Sequence, residues 1–153
     1  MKRGVLVDSG AAVTCANGEE EFPEYPLEAS EASRKGESYV GPGKERIPNR
    51  GQRRPKLRLG SDRGRLAGIT FQDAPVRRPI LAVGESTAAG NLLIFDSVES
   101  AILPKDSPEI EIIRKIVQQA RNRLTMKKER GIFKLDAWVM PPESVATPFH
   151  RRG

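Results

Sequence analysis

Glycine and proline interrupt this chain so often that no apolar run before residue 96 is longer than four residues. Each of these residues ends regular structure for its own reason: proline lacks an N–H, and glycine supplies the positive φ of tight turns. The runs between them, Val5–Val7, Ile80–Val83 and Leu92–Phe95, have strand length and β-branched character. Ala11 to Ala16 continues as a second short strand. Ser38-Tyr39-Val40 and Arg46-Ile47 flank Gly41-Pro42-Gly43-Lys44, a hairpin signal. Lys56 to Leu59 alternates as a half-buried strand does, and Leu66 to Phe71 follows a Gly-rich turn as its antiparallel partner. The pattern predicts a mainly β chain, folded as a small β barrel or sandwich.

The period then changes. Ile110, Ile113, Val117, Ala120 and Leu124 fall three and four residues apart, which predicts a helix within 107–129. Ser107 suits its N-cap, Pro108 its first position and Gly131 its stop. Residues 132–139 read as a closing strand with Trp138 as its packing anchor. The tail 141–153 reads as disordered. With a single Cys and a single His, the chain has no intrachain disulfide framework and no multi-ligand Cys/His zinc site. Cys15 reads as a small buried hydrophobe. Chemistry must come from carboxylates, hydroxyls or basic groups.

Charge is uneven. Residues 31–78 carry 13 basic and 5 acidic groups, and residues 107–153 carry 10 and 5. The stretch Arg46, Arg50, Arg53, Arg54, Lys56 and Arg58 has no aromatic among its members for base stacking. It reads as solvated hairpin charge, with weak, non-specific nucleic-acid contact as the alternative use. No apolar stretch approaches membrane-spanning length, so an intracellular, cytoplasmic setting with no membrane partner is expected.

One motif carries chemistry. In Val5-Leu6-Val7-Asp8-Ser9-Gly10-Ala11 an apolar strand delivers a carboxylate onto a tight turn. A low-dielectric strand end raises a carboxyl pKa, Ser9 can bond across to a second such turn, and Gly10 lets backbone approach the acid. Catalysis by this device needs two acids sharing a proton. Leu92-Leu93-Ile94-Phe95-Asp96-Ser97 imitates the motif, but Val98 stands where Gly is required. The second acid is therefore expected from Asp8 of another copy.

The segment Gly4–Ala11 resembles the active-site turn of the retropepsin-like aspartic proteases of retroviruses and retrotransposons. It is most similar to those in retrotransposon polyproteins of dinoflagellates and related protists. Glu24–Leu27, Tyr39–Gly51 and Gly131–Val139 also resemble that group. The resemblance implies a small closed β barrel with one C-terminal α-helix and a closing strand, and an aspartic-type endopeptidase acting as a homodimer on a polyprotein substrate without metal or cofactor. Asp8, Ser9 and Gly10 would form the catalytic turn. The hairpin bearing Tyr39, Val40, Gly41, Gly43 and Ile47 would be the substrate-binding flap, and Pro79–Gly84 the strand and glycine behind the turn. The domain would span residues 1–140. The family places a further strand ahead of the active-site strand, so an N-terminally truncated domain is expected. The alternative is a catalytically inactive retroelement remnant, acting as a basic module that binds nucleic acid or protein through residues 44–58 and 114–130.

Overall fold

The computed structural model describes residues 2–41 and 43–150. Met1, Pro42 and residues 151–153 lie outside them. In chain order the first elements are β1 (Leu6–Asp8), β2 (Cys15–Ala16), the single-turn helices α1 (Gly18–Glu21) and α2 (Glu31–Arg34), and β3 (Ser38–Val40). Next come β4 (Arg46–Pro48), β5 (Gly51–Arg53), β6 (Lys56–Leu59), β7 (Arg65–Gly68) and β8 (Phe71–Asp73). Then follow β9 (Ile80–Ala82), α3 (Val83–Ala88), β10 (Leu92–Ile94) and β11 (Ala101–Leu103). The chain ends with α4 (Glu109–Gln119), β12 (Lys127–Glu129) and β13 (Ile132–Lys134).

The fold is mainly β, as the punctuated apolar runs predict. It is not a closed barrel. Among the described residues, five strands form one open sheet in the order β1-β9-β2-β8-β5, and the other strands pair as four separate hairpins. A barrel needs every edge paired, and here β1 and β5 are left as edges. The predicted hairpins are present: β3 pairs β4 with Tyr39 opposite Ile47, and β6 pairs β7 with Leu57 opposite Ala67. The stretch Leu66–Phe71 divides, its last residue starting β8, which joins the central sheet instead.

The core lies on that sheet. Ala16, Phe22 and Phe71 form its buried centre, with Tyr25, Leu57 and Ile69 packed against it. The Phe22 and Phe71 rings sit 5.1 Å apart, within the range of favourable aromatic pairs. An ion cluster closes the sheet edge. Buried Asp73 accepts from Arg53 Nε at 3.0 Å and from Arg50 Nε at 2.8 Å. Arg53 also donates to the Tyr25 carbonyl at 2.6 Å. Three chain segments are thus tied to one carboxylate, the arrangement in which a buried charge is tolerated.

The C-terminal elements depart from expectation. The helix runs only from Glu109 to Gln119, with Pro108 rather than Ser107 in the cap position, and Ala120 is already extended at ψ 119°. Its apolar stripe has little to pack on: Ile110 is buried, but Ile112 and Ile116 are exposed. Helical stability comes chiefly from burying such a face, and Asn122 and Thr125 add poor propensity beyond Gln119. Gly131 does not stop a helix. It forms with Arg130 the two-residue turn of the β12–β13 hairpin, both at positive φ (79° and 50°), which is the type I′ signature. The closing strand ends at Lys134, short of the expected 139. Trp138 is 79% exposed and anchors nothing. Among the described residues no helix is long and apolar enough to cross a membrane.

Candidate active site

Asp8 ends β1 and is half-buried, while Ser9 and Gly10 are exposed. β1 pairs in parallel with β9, Asp8 lying opposite Ala82. The Asp8 carboxylate accepts the Gly10 N–H at 2.8 Å, which closes the turn locally. A Cβ on residue 10 would stand 3.3 Å from that same oxygen, so Gly10 gives the carboxylate room that a side chain would narrow.

Two residues without a motif of their own, Thr14 and Glu85, hold this turn's surroundings. Buried Thr14 accepts the Ala82 N–H on its hydroxyl at 3.0 Å, linking the segment after the turn to the strand behind it. The Thr14 N–H donates to the Glu85 carboxylate at 2.5 Å. Glu85 belongs to α3, which begins immediately after β9 and carries the chain through Gly84 rather than stopping there. Its only sequence signal is its place: a carboxylate just past the apolar strand that pairs with the Asp8 strand.

The flap-like hairpin is anchored by a third unpredicted residue. Buried Asn49 donates to the Tyr39 phenol oxygen at 2.8 Å and to the Gln72 amide oxygen at 3.0 Å. Its own oxygen accepts the Gly51 N–H at 2.9 Å. Gln72 in turn reaches Gln52 at 3.3 Å. Tyr39 is thereby fixed to the sheet. Ile47, opposite it, is half-buried, whereas Val40 is 73% exposed at the hairpin's outer end beside Gly41 and Gly43.

Between these parts lies an open cleft of about 530 Å³. Ala12 and Val13, just past the Asp8 turn, form one wall together with Glu85; Tyr39, Gln52 and Gln72 form another; α2 and the chain after it close the end. Of the expected site residues, the cleft takes Tyr39 alone; Asp8, Ser9, Gly10, Val40, Gly41, Gly43 and Ile47 do not line it. The Cys15 thiol lies in β2 and is within reach of the charges of Glu85 and Asp8. It is buried, and burial pushes its pKa from 9.0 up to about 11, with the negative charges of Glu85 and Asp8 adding to the rise. Tyr39 is pushed from 10.0 to about 12, chiefly by burial. Both groups stay protonated at neutral pH.

Asp96, the imitation site, is exposed, and its carboxylate accepts the Glu99 and Val98 N–H groups. Those bonds hold its pKa below the usual carboxylate range and make it a turn-former. The basic stretch is largely committed elsewhere. Arg50 and Arg53 hold Asp73, Arg54 pairs with Glu28 at 2.7 Å, and Arg58 donates to the Gly64 carbonyl at 3.1 Å.

No protein-family model, curated protein or solved structure matches the chain.

Proposed function

We propose that the chain is an aspartic-type endopeptidase domain of the retropepsin-like kind, from a retroelement polyprotein, that hydrolyses peptide bonds in an extended segment. The observation that carries this reading is the Asp8 turn itself. A half-buried carboxylate stands at a strand end, its turn closed by a glycine N–H, and the chain that follows the turn, Ala12 and Val13, lines a cleft that the tethered Tyr39 also lines. Pocket volumes of several hundred Å³ suit a bound segment of a few residues. Asp8 of one copy and Asp8 of a second would share a proton, one activating water while the other protonates the carbonyl oxygen. The parallel pairing of β1 with β9 supports the assignment of Pro79–Gly84 to the strand behind the turn. The remnant alternative loses support from its own residues, since Arg50, Arg53 and Arg54 are engaged within the chain.

The test is hydrolysis of a polyprotein segment at mildly acidic pH by the wild-type chain and by Asp8→Asn. Wild type is expected to cleave, and the variant is expected to be inactive with an unchanged circular-dichroism spectrum. Equal cleavage by the variant overturns the aspartic mechanism.

A further inference from the structure

We propose that the segment 109–138 is a peripheral docking surface for an anionic lipid bilayer. From Ile112 to Lys128 the chain carries six cations, Arg114, Lys115, Arg121, Arg123, Lys127 and Lys128, and not one carboxylate. The same stretch exposes Ile112, Ile116, Val117, Leu124 and Met126. A cationic surface alone is ordinary, and so is a scatter of exposed apolar side chains. Interleaved, they match a layer of negative headgroups over hydrocarbon: the cations meet the headgroups while the apolar side chains enter the acyl boundary. Among the described residues no helix is long and apolar enough to cross a membrane, so the contact is with one leaflet. The proposal is independent of the endopeptidase reading, since no residue of the Asp8 turn or the cleft takes part.

The parts are placed to act together. In α4, Ile112 and Ile116 stand one turn apart on a stripe of which only Ile110 is buried, and helical spacing sets Arg114 and Lys115 on its two flanks. Arg114 pairs only with the exposed Glu111, at 3.3 Å, a bond that water and salt already weaken. Lys127 holds Asp136 at 2.6 Å, which keeps the chain leading to Trp138 against the basic hairpin β12–β13. Trp138 is exposed, and an indole ring seats well at the headgroup level, where one side is apolar and the other wet. Charge also argues against other occupants. A symmetric contact with a second copy would set six cations against six. A single-stranded nucleic acid would meet the cations, but residues 112–128 hold no aromatic for base stacking, and their apolar side chains would stay in water.

The experiment mixes the full chain with phosphatidylcholine vesicles, with and without about one-third phosphatidylserine, and reads both the pelleted fraction and the tryptophan emission. Trp138 is the chain's one tryptophan, so the emission reports on this surface alone. Partitioning into the anionic vesicles is expected to be about tenfold stronger than into the neutral ones, and to weaken as salt is raised. The emission should shift to the blue as the indole leaves water. The double variant Ile112→Ser, Ile116→Ser should lower partitioning about tenfold. Lys115→Gln with Arg121→Gln should remove most of the preference for phosphatidylserine. All four side chains are exposed, so the circular-dichroism spectrum should not change. Soluble glycerophosphoserine should not displace the chain, because it offers the headgroup without the hydrocarbon. Equal partitioning into both vesicles, no pelleting, an unshifted emission, indifference to the isoleucine pair, or displacement by the soluble headgroup each overturns the proposal. So does tighter binding of a single-stranded oligonucleotide that ignores the isoleucines, which assigns the cations to nucleic acid. Dimerisation lost with the isoleucine pair, in place of vesicle binding, assigns the face to a second copy and overturns it as well.

Discussion

The chain before Leu92 and the chain after it are built on opposite terms. Among the described residues, every fully buried apolar side chain except Ile110 lies in the first part. The second part exposes Phe95, Ile112, Ile116, Leu124, Trp138 and Val139. Both parts contain hairpins of similar length, so local propensity does not separate them. What separates them is non-local pairing. The first part has a sheet whose strands come from distant positions, with β1 on β9 and β2 on β8. The second has only strands paired with their immediate neighbours, β10 with β11 and β12 with β13. A lone hairpin buries little and is marginal by itself. The Asp8 turn, Glu85 and the cleft all belong to the part with the core. A catalytic group must be held in place by a packed support, and only that part has one.

The sharpest way to break this contrast is a matched pair of truncations. Phe71 is 1% exposed and packs on Phe22. Phe71→Ala should cost about 3–5 kcal/mol, from lost burial and the cavity left behind. Ile116 is 62% exposed, and Ile116→Ala should change stability by less than about 0.5 kcal/mol. Urea unfolding of both variants reads the difference. Similar losses at the two sites would mean that Ile116 is covered in solution and that the two halves are not built differently.

What the sequence made legible follows the same division. Hairpins punctuated by Gly and Pro were legible, because a tight turn and its flanking strands are a local matter: Tyr39 opposite Ile47 is an example. So was the Asp8 turn, whose glycine carries a steric demand. The pairing of β1 with β9 was not, since no local pattern says which distant strand a three-residue run will meet. Asn49, Thr14 and Glu85 were missed for a related reason: a polar residue acquires its role only from what the fold brings against it. The helix end at Gln119 was misjudged because the apolar period continues through Leu124 while the surface that would bury it does not. Trp138 misled in the same way, a large apolar side chain with no core to enter.

Contacts centred on Gly84 join the two parts beside the site. The Gly131 carbonyl lies against Gly84 so closely that a Cβ on residue 84 would overlap it, and Gly131 also lies near Ala12. Lys128 Nζ donates to the Gly84 carbonyl at 2.8 Å and lies 5.7 Å from the Phe133 ring centroid. Gly84→Ala should therefore undock the β12–β13 hairpin while leaving the central sheet intact, at a cost of about 1–2 kcal/mol, less than that of Phe71→Ala. Hydrogen exchange should accelerate across residues 127–134 and stay unchanged at β8. Unchanged exchange at the hairpin would show that the contact does not hold it.

The smallest expected effect probes the electrostatics that only the packed part can sustain. Asp96 and Asp106, in the second part, have lowered pKa values but are fully exposed, so water and salt screen whatever they contribute. Cys15 is different. Its folded pKa of about 11 lies above its ordinary 9.0, so the folded chain holds this proton more tightly than the unfolded chain does. The resulting stability is fully present below about pH 9 and is lost as the pH rises towards about 11. Cys15→Ala should flatten the decline of the urea midpoint across that window relative to wild type. Tyr39 contributes its own decline higher up, between 10.0 and about 12, which the variant should retain. The cause can then be divided by following thiolate absorbance. Glu85→Gln should lower the Cys15 titration, and Asp8→Asn should lower it less, because burial leads the shift and Glu85 precedes Asp8 among the charges behind it. A Cys15 titration unmoved by Asp8→Asn would mean that the turn's carboxylate does not face the buried thiol, and the link between the turn and the core would fail at that point.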